Sequence, residues 1–180
     1  MILTRTPFRV TLGGGGTDLH SYYSKHGGFI FSFTLDKYMY ITLKRAFADD
    51  LIRIKYTKSE TVSKVSDIKH EIARACLQKV GFSKGIEIAS MADIPSGSGL
   101  GSSSTYTVGL LNALYAYQNE NVTPEKLAKE ACEIEIDILG RPIGKQDQYA
   151  AAYGGLNTFS FNPNGLVSKK KINLSNHDTR

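Results

Sequence analysis

The 180-residue sequence predicts an α+β fold: a mixed, mostly antiparallel sheet with helices packed on it. Three observations carry this reading. Most of the first 56 residues read as strands, with Phe8–Leu12, Tyr38–Arg45 and Leu51–Tyr56 alternating, and the connections among the later ones are too short for crossover helices. From Ile68 onward the apolar residues recur at helical spacing. A glycine- and serine-rich loop stands between one short strand and one long apolar helix, at residues 95–104.

The elements follow in order. Ile2–Thr6 and Phe8–Leu12 read as strands on either side of Pro7, and the second runs into Gly13-Gly-Gly-Gly16. Leu19–His26 suits a short helix capped by Thr17 or Asp18 and stopped at Gly27-Gly28. Phe29–Leu35 and Tyr38–Arg45 read as two strands separated by Asp36-Lys37. Asp49-Asp50 is a turn, and Leu51–Tyr56 alternates again. Ile68–Val80 gathers Ile68, Ile72, Ala73, Ala75, Cys76 and Val80 on one helical face, with Gly81 as the stop. Gly85–Ala89 is a strand, and Tyr106–Tyr117 a long apolar helix. Thr123-Pro-Glu-Lys126 is a helix start: an N-cap, proline at the first position and an early acid. That helix should run to about Leu139, before Gly140. Gln146–Tyr153 reads as another helix, and Thr158–Phe161 with Gly165–Ile172 as a hairpin around Asn162-Pro-Asn-Gly165. Lys169-Lys-Lys171 belongs on a solvated strand edge.

Composition narrows the function classes. Hydrophobic residues are 41% and charged residues 22%, as in ordinary globular domains. No apolar run approaches the roughly 20 residues of a membrane-spanning helix. Two cysteines, Cys76 and Cys132, are too few for a disulfide framework or a zinc site and point to a reducing, cytoplasmic setting. The N-terminus has no secretory pattern. The net charge of +5 suits an anionic small ligand as well as a nucleic acid. A nucleic-acid surface would want clustered cations interleaved with aromatics, and here the basic residues are scattered.

The segment Pro95-Ser-Gly-Ser-Gly-Leu-Gly-Ser-Ser-Ser104 is the strongest chemical signal. Gly97, Gly99 and Gly101 would let a phosphate approach the backbone, and a following helix N-terminus adds donors and partial positive charge. Ser98, Ser102, Ser103 and Ser104 offer hydroxyls to phosphate oxygens or a magnesium ion. The segment is no Walker A loop, because three serines rather than Lys-Ser/Thr follow Gly101. Its glycines are spaced Gly-x-Gly-x-Gly, which is not the dinucleotide pattern, and a glycine stands where a hydrolase elbow needs its serine.

This segment resembles the phosphate-binding motif of the GHMP kinases, Pro-x-x-x-Gly-Leu-Gly-Ser-Ser-Ala, from Pro95 through Leu100 to Ser104. Two further segments resemble that superfamily in the same order. Pro7-Phe-Arg-Val-Thr-Leu-Gly-Gly-Gly-Gly-Thr-Asp18 matches the first motif, and Gly140-Arg-Pro-Ile-Gly-Lys-Gln-Asp-Gln-Tyr149 the catalytic stretch. Gly-Gly-Gly-Thr-Asp, with Tyr22-Tyr, His26-Gly-Gly and Asp36-Lys-Tyr-Met-Tyr, looks like the heptose-sugar branch, with fucose-type sugar kinases as relatives.

The resemblance implies a fold like ribosomal protein S5 domain 2 over residues 1–174, and ATP-dependent phosphorylation of a sugar or sugar phosphate. It implies Asp147 as the catalytic carboxylate, taking the hydroxyl proton, with Arg9 beside it. It implies ATP held by Pro95, Gly97–Gly101 and the serines, and Mg2+ held by Ser103 and Glu135. Glu133 and Asp137 flank Glu135, so the helix face decides among the three acids. Asp18 corresponds to the sugar-binding aspartate, within a substrate loop of Gly15, Gly16, Thr17 and Asp18. Gly15-Gly16 replaces the Glu-His pair of galactokinases, which argues against galactose and for a bulkier sugar. Lys145 and Arg141 lie beside the catalytic stretch, where they could read a second phosphate; His20 and His26 read as structural or surface residues. Superfamily members have two lobes, so the chain reads as one lobe with little activity alone, and residues 175–180 as the start of a linker. A non-catalytic nucleotide- or sugar-binding module is the competing reading.

Overall fold

A computed structural model describes residues 1–173; the expected linker lies outside them. A seven-stranded sheet has the order β4-β3-β5-β2-β6-β7, and β1 pairs with β2. β1 is Ile2–Gly13, β2 Gly28–Arg45, β3 Ile52–Lys55, β4 Ser59–Val62, β5 Ile86–Ala92, β6 Leu156–Phe161 and β7 Val167–Lys171. The helices are α1 (His20–His26), α2 (Glu71–Val80), α3 (Ser102–Tyr117), α4 (Pro124–Cys132) and α5 (Gln146–Tyr153). Every strand pair is antiparallel except β3 with β5.

The expected break at Asp36-Lys37 does not occur, and β2 runs unbroken for 18 residues. Its register against β1 passes from Pro7↔Tyr38 to Arg9↔Thr34, so Phe8 alone spans Leu35–Lys37. The turn-like dipeptide and Pro7 therefore sit in a bulge of one continuous ladder, a position where proline and extra residues are tolerated. Phe8 is fully buried there, so the bulge drives an aromatic ring into the core. The two strands expected on either side of Pro7 are likewise one strand. Residues Phe31–Phe33 of β2 pair with both β1 and β6, and Met39–Leu43 with both β1 and β5. β1 thus takes one edge of β2, while β5 and β6 share the other.

Two other expectations change. α1 has Leu19 at its N-cap and no side-chain cap. Thr17 Oγ1 donates instead to the carbonyls of Gly14 and Phe29, at 2.7 and 2.9 Å, and Asp18 is engaged elsewhere. The helix expected over Ile68–Val80 begins only at Glu71, after a 3₁₀ turn at Val65–Asp67. Ile68 is still buried, as its apolar character requires. The short strand β4 had no sequence signal, since Ser59-Glu-Thr-Val62 has too little apolar alternation.

The remaining signals act locally as read. Gly81 closes α2 in the left-handed region at φ 77°. Thr123 accepts from the Lys126 amide, with Pro124 at the first helical position. The helix begun there changes character at Cys132 and continues as a π-helical turn, Glu133–Ile138. The hairpin β6–β7 forms, and Lys169–Lys171 are exposed on the sheet's outer strand. α3 lies across β1 and β2 and is flanked by α2, α4 and α5. Eleven of its residues are buried, which explains why its sequence is apolar on all sides.

Candidate functional site

Gly97, Gly99 and Gly101 have φ of 81°, 76° and 80°. Non-glycine residues rarely adopt this conformation, so the alternating glycines are required by the backbone. Around Gly97 and Gly99 there is open space where a Cβ would stand; at Gly101 it would lie 3.2 Å from Asp147 Oδ2. Gly101 caps α3, whose first four amides lack intrahelical acceptors. The loop thus presents backbone donors at the positive end of a 16-residue helix.

Arg9, on the free edge of β1, joins this loop to α5. Its Nε donates to Asp147 Oδ1 at 2.7 Å, its Nη2 stands 2.5 Å from the same oxygen, and its Nη1 donates to the Gly99 carbonyl at 3.0 Å. Burial raises the Asp147 carboxyl above its ordinary value, and the Arg9 guanidinium opposes that rise. A residue of the first turn of α5 therefore lies beside the glycine loop as a partly desolvated, arginine-held carboxylate.

Asp18 is almost wholly buried. It accepts from the Gln146 backbone amide at 2.9 Å and from the Gln146 side-chain amide at 3.1 Å. It thereby ties the glycine-rich turn to the start of α5, next to Asp147. Thr11 Oγ1 donates to Gln146 Oε1 at 2.6 Å and completes the clasp. Gly144 makes it possible, because a Cβ there would lie 1.9 Å from Asp18 Oδ2. Gln146 thus emerges as a positioning residue without a motif of its own; only its place one residue before Asp147 could have drawn attention to it.

The three candidate acids part company on the π-helical turn. Glu135 is fully buried and accepts from the Ser103 hydroxyl and from Gln148 Nε2, the latter at 2.8 Å. Glu133 faces Lys79 instead, at 2.6 Å, and Asp137 lines a separate cavity. π-Helical turns frequently occur at functional sites. Here one aims Glu135 beneath the loop.

A cavity of about 680 Å³ opens beside Gly97, Ser102 and Ser103. Tyr56, His70 and Tyr106 line it, with His70 stacked on Tyr106 at 4.8 Å and edge-on to Tyr56 at 4.7 Å. These aromatics carry no motif and come together only through packing of α2, α3 and β3. The buried Ser102 Oγ and Tyr106 hydroxyl have no protein partner. Lys145 and Asp18 line a second cavity of about 560 Å³, with Lys145 Nζ 5.0 Å from the Tyr23 ring centroid. Arg141 lines the first cavity, so the two cations expected to act together on one phosphate are divided between two cavities. His20 packs edge-on to Tyr23 and His26 against Tyr22.

Residues 67–155 match the family model described as the GHMP kinases N-terminal domain. The chain is 36% identical to D-glycero-alpha-D-manno-heptose 7-phosphate kinase of Campylobacter jejuni, over 97% of this chain and 55% of that protein. It is 27% identical to galactokinase of Pyrococcus furiosus, over 85% of this chain and 44% of that protein. Among solved structures, a D-glycero-D-manno-heptose 1-phosphate kinase from Bacteroides thetaiotaomicron superposes with a TM-score of 0.90 at 29% identity, covering 97% of this chain and 61% of that one. The chain spans about half the length of the curated relatives it matches.

Proposed function

Since the chain belongs to the GHMP kinases and carries their N-terminal domain, we propose that residues 1–174 are the nucleotide-binding lobe of an ATP-dependent sugar kinase. The observation that carries this reading is the Arg9–Asp147 pair set against the glycine loop, with Arg9 bonded to both. Phosphoryl transfer needs phosphates held in place and an acceptor hydroxyl relieved of its proton. The loop from Pro95 to Ser104 supplies the first through backbone amides and serine hydroxyls. Asp147 supplies the second: its carboxylate takes the proton of the attacking sugar hydroxyl. Arg9 keeps that carboxylate ionised despite its burial and faces the charge that spreads over the transferring group.

The donor set also fits a magnesium ion. Among the described residues no group of three or more His, Cys, Asp or Glu side chains is gathered. Magnesium does not need one, because it is commonly held by one or two protein oxygens together with nucleotide phosphates and water. Glu135 and Ser103, already in contact, are those oxygens. When bound, the ion would neutralise phosphate charge. The aromatic cavity beside the loop has the size of a nucleotide subsite.

The acceptor is a heptose phosphate. The names of the similar proteins from Campylobacter and Bacteroides agree on heptose and differ in the phosphate's position. Gly15, Gly16 and Thr17 immediately precede Asp18, which the Gln146 amide ties to α5 beside Asp147, and Lys145 lines the same cavity as Asp18. The test, made in a protein that carries both lobes, is ADP release with D-glycero-D-manno-heptose 7-phosphate, fucose and galactose as acceptors. Release stimulated by the heptose phosphate and abolished by Asp147→Asn is expected. Tight MgATP binding with no sugar-dependent ADP release would favour the binding-module reading.

A further inference from the structure

Glu135 is wholly buried, and a buried carboxylate is costly without a countercharge. Arg141 supplies one: its Nη1 lies 3.4 Å from Glu135 Oε1 and also donates to Ser103 Oγ. A single guanidinium nitrogen therefore touches both groups assigned to the divalent cation. The Arg141 amide donates to the Glu135 carbonyl at 3.0 Å, which fixes the root of the side chain. The side chain itself is 31% exposed and lines the cavity beside Gly97 and Ser102. It is anchored at one end and has open space at the other.

We propose that Arg141 is a cation gate: its guanidinium occupies the divalent-cation seat in the nucleotide-free protein and transfers to phosphate oxygens when nucleotide and cation enter together. The proposal rests on Glu135 and Ser103 being the cation's protein ligands. A guanidinium and a divalent cation cannot share those two oxygens, because their repulsion at contact distance weakens metal binding by about tenfold or more even at water's dielectric constant. The fork of guanidinium donors suits phosphate oxygens, and Arg141 lines the same cavity as Gly97, Ser102 and Ser103 of the loop. Metal alone should then bind poorly, nucleotide should strengthen it, and the coupling should be reciprocal.

The test is Mn2+ binding to the 180-residue chain, read as free Mn2+ by electron paramagnetic resonance, with and without ADP. Arg141→Gln keeps a hydrogen-bond donor and removes the charge. Without nucleotide it should bind Mn2+ at least about tenfold more tightly than the parent, and ADP should add less than it adds to the parent. Arg141→Lys keeps the charge and should stay near the parent, which guards against a folding artefact in the glutamine variant. Adding Glu135→Gln to Arg141→Gln should abolish the gain. Equal affinity in parent and Arg141→Gln, lost from both on adding Glu135→Gln, would overturn the gate and leave the cation site standing. Mn2+ binding indifferent to Glu135→Gln in every background would overturn the site itself, and the gate with it.

Discussion

At the scale of single residues, the proposed chemistry turns on the balance between burial and Arg9 at the Asp147 carboxyl. Desolvation raises its carboxyl and Arg9 resists that rise. Replacing Arg9 by Met should move the Asp147 titration further up, read by carboxyl-carbon NMR; an unchanged titration would mean that Arg9 does not hold the charge. Because Asp147 binds its proton more tightly folded than unfolded, its contribution to stability is fullest below the ordinary carboxylate range. That contribution is lost as pH rises through the raised value. Asp147→Asn should therefore gain stability relative to the parent as pH rises through that window, seen in denaturation midpoints across the range. In a protein that carries both lobes, the same variant should cut kcat by about 10² to 10⁴ and leave KM nearly unchanged. Asp147 and Arg9 were legible as candidate functional residues from their motifs. Their adjacency was implied by the resemblance, while local spacing could not give it, because the contact joins residues 138 apart in the chain.

At the scale of elements, local chemistry and long-range pairing contributed differently. The glycine loop was readable because three alternating glycines impose its backbone, as their positive φ shows. Gly101→Ala should cost about 1–2 kcal/mol through that conformation and weaken ATP binding, since its Cβ also presses on Asp147. Titration calorimetry reads the affinity, and unchanged binding would separate the loop from the nucleotide. Gly144 offers a sharper case. Its Cβ would overlap Asp18, so Gly144→Ala should destabilise the protein by about 1–3 kcal/mol by overpacking and release the clasp on α5. A melting temperature equal to the parent's would show that the Asp18–Gln146 clasp yields without cost. The single strand β2 was misread for the opposite reason. Asp36-Lys37 is a sound turn signal locally, but pairing with β1 on both sides of the bulge outweighs it. The switch from α to π geometry at Cys132 was not read from the sequence, although Glu133–Ile138 alternates acidic and apolar residues with a period of two, which departs from helical spacing.

At the scale of the whole molecule, the residues that would meet one nucleotide come from β1, the loop before α3, the π-helical turn and α5, all set against one sheet. MgATP at about 100 times its dissociation constant should stabilise the folded chain by about 2.7 kcal/mol, a rise of roughly 5–10 °C in melting temperature for a chain of this length. No shift at millimolar MgATP would count against the nucleotide assignment. The sequence alone determined the α+β class, most of the helix and strand positions, the glycine-serine loop and the identity of the candidate catalytic groups. Each of these is written in local spacing: alternation for strands, helical periodicity, a cap, or a glycine where the backbone turns left-handed. Only the tertiary structure decided which of three acids lies under the loop, that Arg141 rather than a free cavity faces Glu135, and that Arg141 and Lys145 serve different cavities. Those outcomes depend on side chains brought together from distant parts of the chain, where burial and charge pairing, rather than local propensity, select the partner.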